Sequence, residues 1–195
     1  MKIFDISQEV FSCAVYPGDP KPEKKILSAI SAGDLYNLTA FSMCAHNGTH
    51  VDAPFHFLND GKSVDRLGLD TFVGMCYVVR HQGNVSAADA EEILRKAQGA
   101  KRILISGTVT VTAEAAEIFA SGGLLLLGNE GQTVGPEDAP MQVHQILLRQ
   151  NVALLEGIVL DGISEGSYFL SAAPLSLAGA DGAPCRAYLI KTGDA

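Results

Sequence analysis

The rhythm of apolar and polar positions changes about a third of the way along the chain. The first stretch is strand-like, with β-rich segments near Lys2–Ile6, Lys25–Ile30 and Leu38–Cys44 separated by Pro, Gly and Asp turns. From Gly74 onward strand and helix patterns take turns. GMCYVVRH (74–81) reads as a strand, and a helix follows over about Ala87–Gln98, with Ser86 as N-cap and Asp89 three residues on. RILIS (102–106) is the next strand. Thr112 caps a helix over about Ala113–Ser121, which Gly122–Gly123 stops. LLLLG (124–128), a helix near Met141–Gln150 and the apolar run VALLEGIVLD (152–161) continue the series. The segment from Tyr168 to Lys191 supplies two further strands around a Gly/Ala/Pro loop. Strands first and β-α alternation after predict an α/β fold, a mixed sheet with flanking helices.

Composition narrows the class. With 195 residues, 47% of them apolar, the chain fits one domain over 1–195 with a sizeable core, and no repeat or linker divides it. Its longest apolar runs, such as Gly122–Gly128, are far too short to span a bilayer, so no membrane partner is expected. The opening MKIFDISQEV has no signal-peptide apolar core. A formal charge of −8 without a basic stripe argues against nucleic acid as a partner. Cys13, Cys44, Cys76 and Cys185 form no CxxC pair and read as reduced, packing thiols of a cytoplasmic protein.

The chemistry concentrates in CAHNGTHVDAPFHF (44–57), which holds three of the chain's five histidines. His46 is expected at the end of an apolar strand, with Gly48–Thr49 allowing a sharp bend. His50 and Asp52 are two apart and project to one face of extended chain. Pro54 prevents an ordinary helix, leaving His56 in a loop. Imidazole with carboxylate suits zinc or a neighbouring transition metal. The plain alternative is a set of histidines with ordinary hydrogen bonds.

A second signal lies a hundred residues on. Glu156 interrupts a run that should be a buried strand, where an ionised carboxylate costs several kcal/mol unless a cation or good donors meet it. An ion pair to Arg102 or Arg186 would also satisfy it. His144 shares the inward stripe of its helix with Val143, Ile146 and Leu147. Together with the loop, these give His46, His50, Asp52, His144 and Glu156. Five ligands exceed the need of one tetrahedral ion, and two carboxylates suit a bridged pair.

HNGTHVDAPFHF resembles the HxGTHxDxPxH signature of the cyclase family of metal-dependent hydrolases, which includes bacterial kynurenine formamidase and isatin hydrolase. VYPGDP (15–20) is similar to the family's aromatic-Pro-Gly-Asp turn. His144 and Glu156 match its distant His-x11-Glu pair, and LLEGIVLDGI and APLSLAGADGAPCRA resemble its C-terminal strands. The resemblance implies a swivelling β/β/α domain in homodimers or larger homo-oligomers. It implies that His46, His50 and Asp52 hold a first metal, Zn or Mn, and that Asp52 and Glu156 bridge to a second completed by His144. His56 becomes the catalytic acid/base, and Tyr16 the aromatic residue at the substrate. His81 matches nothing functional and reads as a solvated strand end.

Some positions depart from the family pattern. Tyr16 stands where the formamidases have Trp, and the chain has no Trp at all. In GNEGQTVGP (128–136) Glu130 and Thr133 replace Asp and Ser, and Gly135 replaces a second Asp. The short connection between RILIS and Thr112 lacks an Arg-Thr-Gly often found there. These differences bear on the pocket and leave the metal set intact.

The ligand set predicts the reaction. A metal that lowers the pKa of bound water toward ~7 yields hydroxide near neutral pH to attack a polarised amide carbonyl, while His56 passes a proton to the departing nitrogen. The expected substrate is a small amide, either an N-formyl arylamine or a cyclic amide or imide. Kynurenine formamidase activity proper, a lyase or true cyclase, and a metal-binding protein without turnover are the alternatives.

Overall fold

The computed structural model describes residues 1–191. The strands in chain order begin with β1 (Lys2–Asp5), β2 (Glu23–Ser28), β3 (Leu38–Ser42) and β4 (His50–Asp52). They continue with β5 (Val73–Arg80), β6 (Gly83–Val85), β7 (Arg102–Ser106), β8 (Val109–Val111) and β9 (Leu126–Asn129). The last are β10 (Ala153–Glu156), β11 (Gly166–Ser171), β12 (Gly182–Pro184) and β13 (Tyr188–Lys191). The helices are α1 (Ala87–Ala97), α2 (Ala113–Ser121) and α3 (Met141–Arg149).

Nine strands form one mixed sheet in the order β1-β13-β11-β5-β7-β9-β10-β4-β12. Its centre, β5-β7-β9-β10, is parallel and in chain order, and the remaining pairings are antiparallel. Crossovers of one hand, without a reversal of order, put all the connecting helices on one face. The packing agrees. Ile93 of α1, Phe119 of α2 and Leu147 of α3 pack with Val79, Ile103, Ile105, Leu127 and Leu154. The alternate residues Val78, Leu104, Leu126 and Leu155 face a second core with Ile6, Tyr168 and Leu189. Strands buried on both faces read as continuous apolar runs, hence RILIS and LLLLG. The sheet curls so that its β1 end approaches the chain leaving β10. Ile6, just after β1, donates to Ala187 O at 3.0 Å and accepts from Val159 N–H, just after β10, at 2.9 Å.

The helix ends follow local chemistry. Asp89 accepts the Ser86 N–H at 2.9 Å while Ser86 Oγ accepts the Asp89 N–H, a complete capping box. Thr112 Oγ1 caps α2 through the Ala115 N–H. The α/β class is as predicted. Among the described residues no helix is long and apolar enough to cross a membrane.

Several local expectations change. The stretches near residues 25–30 and 38–44 pair with each other as a hairpin apart from the main sheet. His46 does not end a strand. β3 stops at Ser42, and the Asn47 side chain accepts the Cys44 N–H at 2.8 Å, closing a turn that carries His46. β10 ends at Glu156, because Gly157 takes φ +65° and turns the chain away. Three strands rather than two follow Gly166, since three residues at Gly182–Pro184 pair with β4.

Candidate metal centre

The site is built on β10, β4 and β12. β4 lies between the other two, with His50 opposite Glu156 on one side and Asp52 opposite Gly182 on the other. Paired residues of an antiparallel ladder share a face, and so do residues two apart, so this register alone puts His50, Asp52 and Glu156 together. His46 enters from the turn before β4, and His144 from α3. His56 ends a single 3-10 turn at Pro54–His56, where Pro54 occupies the tolerated first position.

The five expected ligands converge. His46 Nδ1 lies 2.7 Å from Asp52 Oδ1, and His50 Nε2 lies 3.4 Å from the same oxygen. His144 Nε2 is 3.5 Å from Asp52 Oδ2 and 3.2 Å from Glu156 Oε1, and His50 Nε2 is 3.5 Å from Glu156 Oε2. Glu156 is 2% exposed and Asp52 1%. Neither arginine alternative is realised. Arg102 binds the carbonyls of Asp70, Thr71 and Met75, and Arg186 pairs with Asp5.

Each imidazole of the set has one nitrogen tied to an oxygen and the other aimed at the carboxylates. His50 Nδ1 bonds Gly48 O at 2.9 Å, His144 Nδ1 bonds Pro140 O at 2.9 Å, and His46 Nε2 bonds Asp181 Oδ2 at 2.8 Å. Such outer acceptors fix tautomer and ring orientation for metal-ligating histidines. Among the described residues Asp52 Oδ2 is buried without a hydrogen-bond partner, an arrangement that a cation relieves. Ligand atoms of His50, Asp52 and Glu156 cluster within 4.8 Å, as do those of His46, Asp52 and His56, with Asp52 common to both groups. The donor set fits a divalent cation.

The electrostatics carry the same message. Burial opposes charge on His50 and His144, but hydrogen bonds and the fields of Asp52 and Glu156 outweigh it and raise both to about 10. Burial likewise opposes charge on His46, and Asp52 wins, raising it. Burial would raise Asp52, yet its histidine partners hold it well below the ordinary carboxylate range. His56 goes the other way. Burial lowers its pKa, only partly offset by Asp52, which favours the neutral ring.

A cavity of about 220 Å³ opens onto these groups, walled by Tyr16, Asp19, Phe57, Thr133 and Pro140. Tyr16 is anchored by its hydroxyl, which donates to Glu137 O at 2.5 Å. The substituted segment 128–136 lies behind the site. Glu130 accepts the N–H groups of Gly107 at 2.6 Å and Leu160 at 2.8 Å, which braces two loops, and the Val134 N–H holds Glu156 Oε1 at 2.8 Å. Gln132 lines both this cavity and a neighbouring groove, and both its amide atoms are buried without partners among the described residues. His81 bonds Asn84 O at 3.1 Å and is not among the residues lining the cavity.

Asp181 joins the site without a motif to announce it. It lies just before β12 and accepts from both His46 and His56, the latter at 3.1 Å to Nδ1. Its signal was faint, one Asp-Gly in a Gly/Ala/Pro loop.

Comparison with known proteins agrees with the motif. The Cyclase family model matches residues 4–134. Kynurenine formamidase of Erythrobacter litoralis is 32% identical over 208 residues, covering 100% of this chain and 96% of that protein. The Bacillus anthracis enzyme of the same name is 31% identical, covering 96% and 97%. Isatin hydrolase A from Labrenzia aggregata shares the fold, with a TM-score of 0.82 at 20% identity over 96% of this chain and 93% of that one. With a family model over two thirds of its length and relatives alike from end to end, the chain belongs to the Cyclase family.

Proposed function

We propose that the protein is a metal-dependent hydrolase that cleaves a C–N bond of a small amide, an N-formyl arylamine or a cyclic amide or imide. One observation carries this reading: three imidazoles, each fixed by an outer oxygen acceptor, turn their other nitrogens toward two buried carboxylates. His46, His50 and Asp52 would hold one ion, Zn or Mn, and His144 and Glu156 would complete a second across Asp52. Asp52 turns Oδ1 toward His46 and His50 and Oδ2 toward His144, which supports two ions. When bound, the cation supplies Lewis acidity, polarising the carbonyl and acidifying water.

The chain's own groups do the rest. Burial favours the neutral form of His56, and its Nδ1 is engaged by Asp181, so Nε2 is the atom that takes and returns a proton. Tyr16 and Phe57 wall the cavity and exclude water beside the amide. The volume of about 220 Å³ favours a compact substrate. Kynurenine formamidase activity proper is the second reading, favoured by relatives of that name along the whole chain.

We propose a homo-oligomer as well. The β2–β3 hairpin exposes Ile26, Leu27 and Phe41 and, in its connection, Leu35 at 95%. An isolated two-stranded hairpin is marginally stable in water, so a second copy packed on this face would account for it. Light scattering tests the oligomer. The enzymatic reading is tested by an activity screen over N-formyl arylamines, cyclic imides and lactams, with Zn and Mn supplied separately and metal content measured on the same preparation.

A further inference from the structure

Asp181 binds two histidines to which the proposed reaction gives different tasks. Its Oδ2 lies 2.8 Å from His46 Nε2 and 3.1 Å from His56 Nδ1. The two rings stack at a centroid separation of 4.0 Å with 30° between their planes, so one carboxylate oxygen reaches the edges of both. The backbone holds Asp181 where this is possible. Asp181 O accepts the Ala53 N–H at 2.9 Å, and Ala180 O accepts the Val64 N–H at 2.9 Å. The next residue opens the space. A Cβ on Gly182 would lie 2.7 Å from His46 Cε1 and 2.6 Å from Val51 O, so only glycine lets the His46 ring lie over β12. The Asp181–Gly182 pair is therefore built around His46, the carboxylate at its edge and the missing side chain beneath it.

An ionised carboxylate is acceptor-only, so a neutral imidazole meeting it must present N–H. On His56 that places the proton on Nδ1 and leaves the Nε2 lone pair free. On His46 both nitrogens face carboxylates, so a cation must displace the proton at Nδ1, the atom facing Asp52, and Asp181 then keeps the remaining proton on Nε2. We propose that Asp181 is a positioning residue that sets the tautomers of His46 and His56 together, coupling a metal ligand to the group that moves the proton. This rests on the hydrolase reading for its kinetic consequence but not for the tautomers themselves.

The test uses wild type and the Asp181→Ala, Asp181→Asn and Asp181→Glu variants. Three readouts are taken: imidazole ¹⁵N shifts for the tautomers, with and without Zn; Zn affinity by chelator competition; and kcat and KM on the best amide from the screen. The side chain is 42% exposed, so truncation leaves no buried void. In wild type His56 should carry its proton on Nδ1. Asp181→Ala should lose that preference and lower kcat at saturating Zn by about 10–100-fold with KM little changed, the usual scale for an outer partner. Asp181→Asn, whose NH₂ can face the ring nitrogen, should shift the proton to Nε2 and be no more active than Asp181→Ala. Asp181→Glu should recover part of kcat. A His56 that keeps its Nδ1 proton in Asp181→Ala overturns the proposal. So does a kcat loss fully cured by excess Zn, which would confine Asp181 to metal retention. If wild type hydrolyses no amide, the hydrolase reading fails alone, and the tautomer shifts still decide the role of Asp181.

Discussion

Glu156→Gln isolates the charge of the buried carboxylate from its shape. The amide is isosteric and its oxygen can still accept the Val134 N–H, which now lies 2.8 Å from Oε1. What disappears is the negative charge beside His50 and His144, and an NH₂ replaces one acceptor facing them. Removing even an outer partner of a metal site costs 10–100-fold in affinity, and a ligand should cost at least about 100-fold. At metal 100 times above the wild-type Kd, binding stabilises the native state by about 2.7 kcal/mol; after a 100-fold weakening about 0.4 kcal/mol remains. The loss of about 2.3 kcal/mol corresponds to roughly 5–9 °C in Tm for a chain of this size. Thermal melts of both proteins, with metal and with chelator, and metal content by mass spectrometry form the assay. The deficit should be larger with metal than in chelator, where only the pairing of Glu156 with His50 and His144 is lost. A variant with full metal content and unchanged melting refutes the reasoning, as does a deficit of the same size in chelator, which would assign Glu156 to pairing with His50 and His144 and not to the metal.

Three other outcomes follow from the same geometry. His56→Ala should keep most of its metal and lose about 10²–10⁴-fold in activity, the range of general acid–base catalysis; loss of metal as complete as in His50→Ala would move His56 into the ligand set beside His46 and Asp52. N-formylkynurenine should be a poor substrate, because Tyr16 replaces a Trp at the cavity wall and its hydroxyl is spent on Glu137 O. A wild-type kcat/KM on it of about 10⁴ M⁻¹s⁻¹ or above contradicts this, and Tyr16→Ala without effect on any substrate removes Tyr16 from the pocket. The folded-state pKa values of about 10 at His50 and His144 lie above the unfolded value of 6.5. Chelated protein should therefore hold this stabilisation below pH 6.5 and lose it as pH rises toward 10, while metal uptake near pH 7–8 releases protons; a melting temperature that does not fall over that window opposes it.

Local chemistry made much of this legible in the sequence. The caps Ser86 and Thr112 act within three residues, and the helix-strand alternation is a short-range pattern. The loop ligands were readable because His50-x-Asp52 on extended chain has one geometry, and Glu156 because a carboxylate in an apolar run needs a reason. What was hidden depends on pairing across the sheet. Three residues at Gly182–Pro184 have no periodicity of their own, yet their register with β4 delivers Asp181 to His46 and His56. The hairpin of Glu23–Ser28 with Leu38–Ser42 has strand composition, and nothing in it says which sheet it joins. His46 was misplaced because the Asn47 side chain ends the strand by capping Cys44, a choice composition does not display.

On the proposed reading, the His/carboxylate cluster holds a cation that works on a C–N bond. The most direct measurement strips the protein with chelator, then titrates Zn or Mn back while following metal bound and hydrolysis of N-formyl arylamines and cyclic amides. Activity should be absent after stripping and should return in proportion to metal bound, reaching its plateau as the cluster fills. Full activity in the stripped protein, or stoichiometric metal binding with no turnover of any of these amides, would contradict the account.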